Sequence, residues 1–246
     1  MKPPIYKPSG AALEYGDLAL NIYTGCNHGC YYCFAPNVLH KTREDFAKVE
    51  PRKDIVNEVR KQLDKEKITG KMIHLCFTCD PYPADIDTTP TREIIMLLKA
   101  YGNHVQILTK GGYRIKRDAD LFDKNDFIGV TYCGYPPEDR MIWRDISMYE
   151  PKAAPPHDRL MSAFEMKMLT GATIWVSMEP VLDAKDALDL LECKDQYFDL
   201  YRIGKLNYHP STINWHDFGH AAEEICKRRG LFYYIKDSLR AEMDRT

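Results

Sequence analysis

The sequence predicts an α/β fold: a partial (β/α)6 TIM-like barrel of parallel strands with helices outside. Three observations predict it. Short apolar runs alternate along the chain with amphipathic helical runs. The apolar runs are nearly continuous, as in strands covered on both faces, rather than alternating with polar residues. Six such units in 246 residues suit one barrel-sized core. A flat doubly wound sheet is the alternative arrangement. In either, ligands bind at the carboxyl ends of the strands.

The strand runs are Leu18–Thr24, Lys71–Phe77, His104–Thr109, Phe127–Cys133, Ala172–Met178 and Phe198–Gly204, with a further short strand at Leu231–Ile235. Between them lie the helical patterns. Ile55, Val56, Val59 and Leu63 share one face. Thr89 and Pro90 open a helix carrying Ile94, Ile95 and Leu98, which stops at Gly102. Asp118–Phe122 is a weaker helical segment. Leu160, Phe164 and Met168 form a stripe ending at Gly171. Asp183 caps a helix with Ala187, Leu188 and Leu191. Trp215, Phe218, Ala222 and Ile225 make the last stripe, ending at Gly230. The whole chain reads as one domain. Residues 1–17 are an N-terminal extension, 18–204 the six βα units, and 205–246 a C-terminal helix, short strand and tail.

The formal net charge of -2 gives no general sign of nucleic-acid binding, though it leaves room for a local basic patch. No apolar run approaches the ~20 residues of a membrane span, and Met1–Gly16 has no secretory core. Eight cysteines without an export signal fit a reducing cytoplasm, where thiols serve as ligands or reactants. Cys193 and Cys226 fall in helical patterns and read as small buried hydrophobes.

The most informative segment is Gly25-Cys26-Asn27-His28-Gly29-Cys30-Tyr31-Tyr32-Cys33-Phe34, directly after the first strand. Its C-x3-C-x2-C spacing puts three thiolates on one tight loop. They can hold three corners of a 4Fe–4S cubane and leave the fourth iron open to a small molecule. A zinc site is the plainer alternative, with His28 or Cys76 as a fourth ligand. The loops Phe34–Glu50 and Gly134–His157 are long enough to carry function.

This motif resembles the radical S-adenosylmethionine (SAM) superfamily. Ala12-Leu13-Glu14-Tyr15, Asn21-Ile22-Tyr23-Thr24-Gly25-Cys26, Asp80-Pro81-Tyr82, Leu108-Thr109-Lys110, and Glu150-Pro151 with Arg159-Leu160 are similar to its spore photoproduct lyase-like branch. The resemblance runs from about Ala12 to about Asp183. It implies a cluster on Cys26, Cys30 and Cys33, SAM as the molecule on the open iron, and an electron donor such as flavodoxin or ferredoxin. It also implies SAM contacts from Tyr32, Phe34, Asp80, Thr109, Lys110, Glu150, Arg159 and Glu179. The branch's thiol hydrogen donor aligns with Phe77, a departure. Cys79, expected on the same strand face as Phe77, and Cys133 are therefore the candidate donors.

The substrate implied is a pyrimidine base, free or in nucleic acid. Peptide or small-metabolite chemistry, or a non-enzymatic cluster or zinc protein, are the alternatives. Lys41, Arg43, Lys48, Arg52, Lys53, Arg114, Lys116, Arg117, Arg140 and Arg144, with Tyr135 and Trp143, are candidates to grip a phosphate backbone and stack a base. His216 and His220 share helical spacing but lack a third metal ligand, and read as a surface helix.

Overall fold

The computed structural model describes residues 3–134, 146–193 and 198–245. Their backbone forms one eight-stranded sheet. The strands are β1 (Ile5–Tyr6), β2 (Leu18–Leu20), β3 (Met72–Leu75), β4 (His104–Thr109), β5 (Phe127–Thr131), β6 (Thr173–Met178), β7 (Leu200–Ile203) and β8 (Tyr233–Ile235). Spatial order equals sequence order, and every pair from β2 to β8 is parallel. A doubly wound sheet reverses its strand order at a switch point. This sheet never reverses, so it curls as a barrel does, with β1 and β8 as its two edges.

All six expected strands form, each at the expected place. β1 was not foreseen. It is two residues between prolines, too short for any period, and it pairs antiparallel with β2. Several strands end earlier than their apolar runs. β3 stops at Leu75 and β5 at Thr131, and the residues beyond bend into loops at the carboxyl ends.

The described helices are α1 (Ala35–Val38), α2 (Arg43–Phe46), α3 (Ile55–Glu66), α4 (Thr89–Ala100), α5 (Ile146–Tyr149), α6 (Pro156–Thr170), α7 (Ala184–Glu192), α8 (Trp215–Arg229) and α9 (Asp237–Met243). A 3-10 helix spans Gly112–Leu121, where a short helix was expected at Asp118–Phe122. Asp183 caps α7 by accepting the Asp186 N–H, as its position predicted.

The sheet's two faces differ in chemistry. Ile73, Val105, Ile107, Ile128, Val130, Ile174, Val176 and Ile203 are buried against the helices. The alternate residues are His74, Gln106, Trp175, Ser177 and Arg202. Gln106 donates to the Tyr15 carbonyl (2.9 Å), and its amide lies 2.9 Å from His74 Nδ1. Tyr15 lies against the rings of His74, Phe77 and Trp175. A polar, aromatic interior thus backs an aliphatic jacket.

The α6 stripe needs correction. Met168 is 73% exposed and Phe164 38%, while Arg159, Ser162, Ala163 and Met166 face inward. Helical spacing assumes that the buried face is the apolar one. Here a buried Arg159 sets the rotation, because its partners lie inside.

Candidate functional site

The cysteine loop leaves the end of β2 and is fastened on all sides. Cys26 N–H donates to Phe46 O (3.0 Å), Tyr31 N–H to Tyr149 O (3.0 Å), and Lys152 N–H to His28 O (3.0 Å). Arg43 donates to the carbonyls of Cys30 (2.9 Å) and Tyr31 (2.5 Å). Gly25 is required by this closeness, since a Cβ there would stand 2.0 Å from Phe46 O. At Gly29, φ is +73° and a Cβ would strike Pro151. Arg43 was expected to grip phosphate; it is instead the staple of this loop.

With its carbonyls bonded, the loop offers its sulfurs. Cys26, Cys30 and Cys33 are free thiols. Burial pushes all three thiols up, and the Asp80 charge at Cys26 and the Glu150 charge at Cys30 push the same way. Lys110 opposes this at Cys30 and Cys33, and Arg43 also at Cys33. The donor set therefore suits a cationic group that keeps thiolates charged. Among the described residues, no three His, Cys, Asp or Glu side chains could hold a metal ion together. A cubane binds each thiolate at a different iron and needs no such convergence. His216 and His220, 4.6 Å apart as rings, stay on the α8 surface against Asp217 and Met243 O.

Glu150, fully buried, centres the next shell. It accepts from Tyr32 Oη and Arg159, and lies 3.8 Å from Lys110 Nζ, 3.6 Å from Cys133 Sγ and 4.0 Å from Cys30 Sγ. Burial alone would raise its carboxyl; the charges of Arg159 and Lys110 and the bonds from Arg159 and Tyr32 outweigh that and hold it at about 2. Arg159 also donates to Ala154 O (2.7 Å) and Thr131 O (3.2 Å). Lys110, held 5.5 Å from the Tyr32 ring centre, has no hydrogen bond from its ammonium among the described residues. Burial would lower that amine, but the Cys30 and Glu150 charges raise it.

Asp80 ties the loop after β3 to the end of β4. It accepts from Thr109 Oγ1 (2.6 Å), Tyr82 N–H (2.8 Å) and Lys110 N–H (2.8 Å). His28 Nδ1 lies 3.4 Å from it. Burial, together with Arg114, holds His28 at about 4 despite Asp80, so this contact joins a neutral imidazole to a carboxylate. Arg114 Nη2 sits 3.3 Å from His28 Nε2, which makes Nδ1 the protonated nitrogen facing Asp80.

So the structure brings together Cys30, Tyr32, Lys110, Cys133, Glu150 and Arg159, with Asp80 and Thr109 joined to Lys110 by its backbone. Cys133 lies 3.2 Å from Tyr32 Oη, and burial, with the Glu150 charge, pushes its thiol up to about 12. Cys79 stands elsewhere. Because β3 ends at Leu75, strand alternation does not reach it. Phe77 packs on His74 and Tyr15, whereas Cys79 accepts the Tyr23 N–H (3.5 Å) in the helix-side core. Phe34 is half exposed beside α1. Glu179 belongs to a second cluster and accepts from Lys236, Tyr15 (3.1 Å) and Asn207 (3.0 Å).

The expected basic patch is largely spoken for. Lys41 donates to Thr24 O, Lys48 to Asp45, Lys116 to Glu165, and Arg117 to Thr88. Tyr135, Arg140, Trp143 and Arg144 lie outside the described residues. Sequence reasoning missed the staple role of Arg43 and the His28–Arg114 contact. A lone arginine ten residues past a motif leaves no signal.

The family described as "Protein of unknown function (DUF5131)" matches residues 10–221. An uncharacterised protein, ORF301 of Acidianus two-tailed virus, is 27% identical over 78% of this chain and 70% of its own. Among solved structures, spore photoproduct lyase complexed with dinucleoside spore photoproduct superposes with a TM-score of 0.67, 12% identity, and 94% and 79% coverage of this chain and that one. Streptococcus suis SuiB bound to S-adenosylmethionine gives 0.62, 12% identity, 92% and 52%. These likenesses establish a shared fold. No described helix is long and apolar enough to cross a membrane.

Proposed function

The chain belongs to the DUF5131 family, and on that premise we propose that it is a radical SAM enzyme acting on a pyrimidine base. The observation that carries the reading is the stapled loop that presents Cys26, Cys30 and Cys33 beside the partly buried Lys110. Two fold neighbours were solved with S-adenosylmethionine bound, which supports it.

In this reading the three cysteines hold a 4Fe–4S cluster. Such a cluster, once reduced, would supply the one electron for C5′–S cleavage of SAM, with methionine leaving and hydrogen-atom abstraction as the chemistry made available. The chain's own residues prepare the place. Arg43 fixes the loop, and Arg159 holds Glu150. Lys110 offers its free donors to a carboxylate. Tyr32 presents a ring edge, and Asp80 and Thr109 set the position of the Lys110 backbone. Cys133 is the proposed hydrogen donor at the end of the reaction, since its thiol borders Tyr32 inside the same cluster. Cys79, turned into the core, is the weaker candidate. An external reductant such as flavodoxin or ferredoxin would supply the electron that reduces the cluster.

The test is anaerobic reconstitution followed by dithionite and SAM. About four irons per chain and release of 5′-deoxyadenosine are expected, and both should vanish in Cys30→Ala. A protein that binds no iron, or binds it and leaves SAM intact, would overturn the proposal.

A further inference from the structure

Beside the cysteine loop lies a cleft of about 300 Å³, lined by Tyr31, Tyr149, Leu182, Leu206, Pro210, Ser211 and Thr212. Tyr31 stands between two of the loop's cysteines, so whatever lies against it is next to the proposed cluster site. Three rings hold it: Tyr32 at 5.3 Å, His209 at 5.3 Å and Tyr149 at 5.5 Å between centres, all edge-on or tilted. Edge contacts orient a ring without covering its faces. The loop supplying the far wall includes Tyr208, exposed and at φ +65°, a backbone state that a bulky residue adopts under constraint.

We propose that this cleft binds one neutral planar heterocycle, the size of a nucleobase with its sugar, stacked on Tyr31 and Tyr149. Rigid aromatic walls give stacking at low entropic cost. Leu182, Leu206 and Pro210 give an apolar floor. The Ser211 and Thr212 hydroxyls can donate to and accept from the edge of a heterocycle. A volume near 300 Å³ matches one nucleoside. Several of the basic side chains that could follow a strand are engaged within the protein, as at Lys41, Arg43, Lys48 and Lys116. The inference rests on the function proposed above and narrows it from a pyrimidine base, free or in nucleic acid, to a single nucleoside.

The test measures thymidine binding by calorimetry on the iron-loaded protein, beside thymidine monophosphate and a short single strand of dT. Thymidine should bind alone. Tyr149→Ala should weaken it about tenfold or more, as loss of one stacking partner does. Ser211→Trp, at an exposed position, should block the cleft. Thymidine binding that is absent, or unchanged in Tyr149→Ala and Ser211→Trp, would overturn the inference. So would a strand binding far more tightly than the nucleoside. Release of 5′-deoxyadenosine is read separately. SAM cleavage without thymidine binding sinks only the cleft, and thymidine binding without SAM cleavage sinks only the enzyme class.

Discussion

Two carboxylates, the buried Glu150 and the partly buried Glu179, each meet a lysine and a tyrosine, yet they do different work. Glu179 is closed: Lys236, Tyr15 and Asn207 take its oxygens, and Lys236 also reaches Glu14 at 3.1 Å. Glu150 keeps different company. Arg159 and Tyr32 hold it, but Lys110 stands 3.8 Å off with its donors unspent, and two thiols lie within 4.0 Å. The same residue types make a clasp in one place and a receptive site in the other. What separates them is the lysine: Lys236 spends its donors on Glu179 and Glu14, whereas the Lys110 ammonium makes no hydrogen bond among the described residues.

The sharpest way to break this comparison is to remove each cation. Arg159→Met strands Glu150 in the interior and should cost about 3–5 kcal/mol in chemical denaturation, with loss of iron on reconstitution. Lys236→Met should cost less, because Glu179 keeps Tyr15 and Asn207, and iron per folded chain should not change. Iron loss in both variants would mean that the clasp is part of the site.

A second effect concerns His74, on the interior face between the two. Burial, with the Arg202 charge adding, holds it at about 3, against ~6.5 in an unfolded chain. Gln106, Tyr15, Phe77 and Arg202 are the groups around it. The unfolded state therefore binds the extra proton between those values. Stability is whole above pH ~6.5 and falls as pH drops toward 3, by at most about 5 kcal/mol. Denaturation midpoints measured from pH 8 to pH 4 should fall, and fall less in His74→Asn. Equal slopes in the two proteins would remove His74 from the account. The smallest effect is expected on the outer face of α6. Met168→Ser should shift the midpoint by less than about 0.5 kcal/mol, and a larger loss would restore the apolar stripe that the structure has turned outward.

The sheet and the cysteine loop were legible because each rests on local pattern. Apolar runs name strands, and thiol spacing names a ligand loop, whatever the rest of the chain does. The rotation of α6 was not legible, since it is set by Arg159 reaching Glu150 and the Thr131 carbonyl, a tertiary contact that overrides apolar spacing. Cys79 was misplaced for a related reason. Period two holds only while the strand lasts, and β3 ends at Leu75. Lys110 and Glu150 were named by resemblance, and their mutual nearness is what only the folded chain displays.

The clasp also orders events in time. Glu14 and Tyr15 join to Lys236 and Asp237 across more than two hundred residues of chain. During synthesis the cysteine loop leaves the ribosome long before Lys236 is made. The two edges of the barrel can be fastened only when β8 arrives, so this contact forms later than those of the cysteine loop with α2.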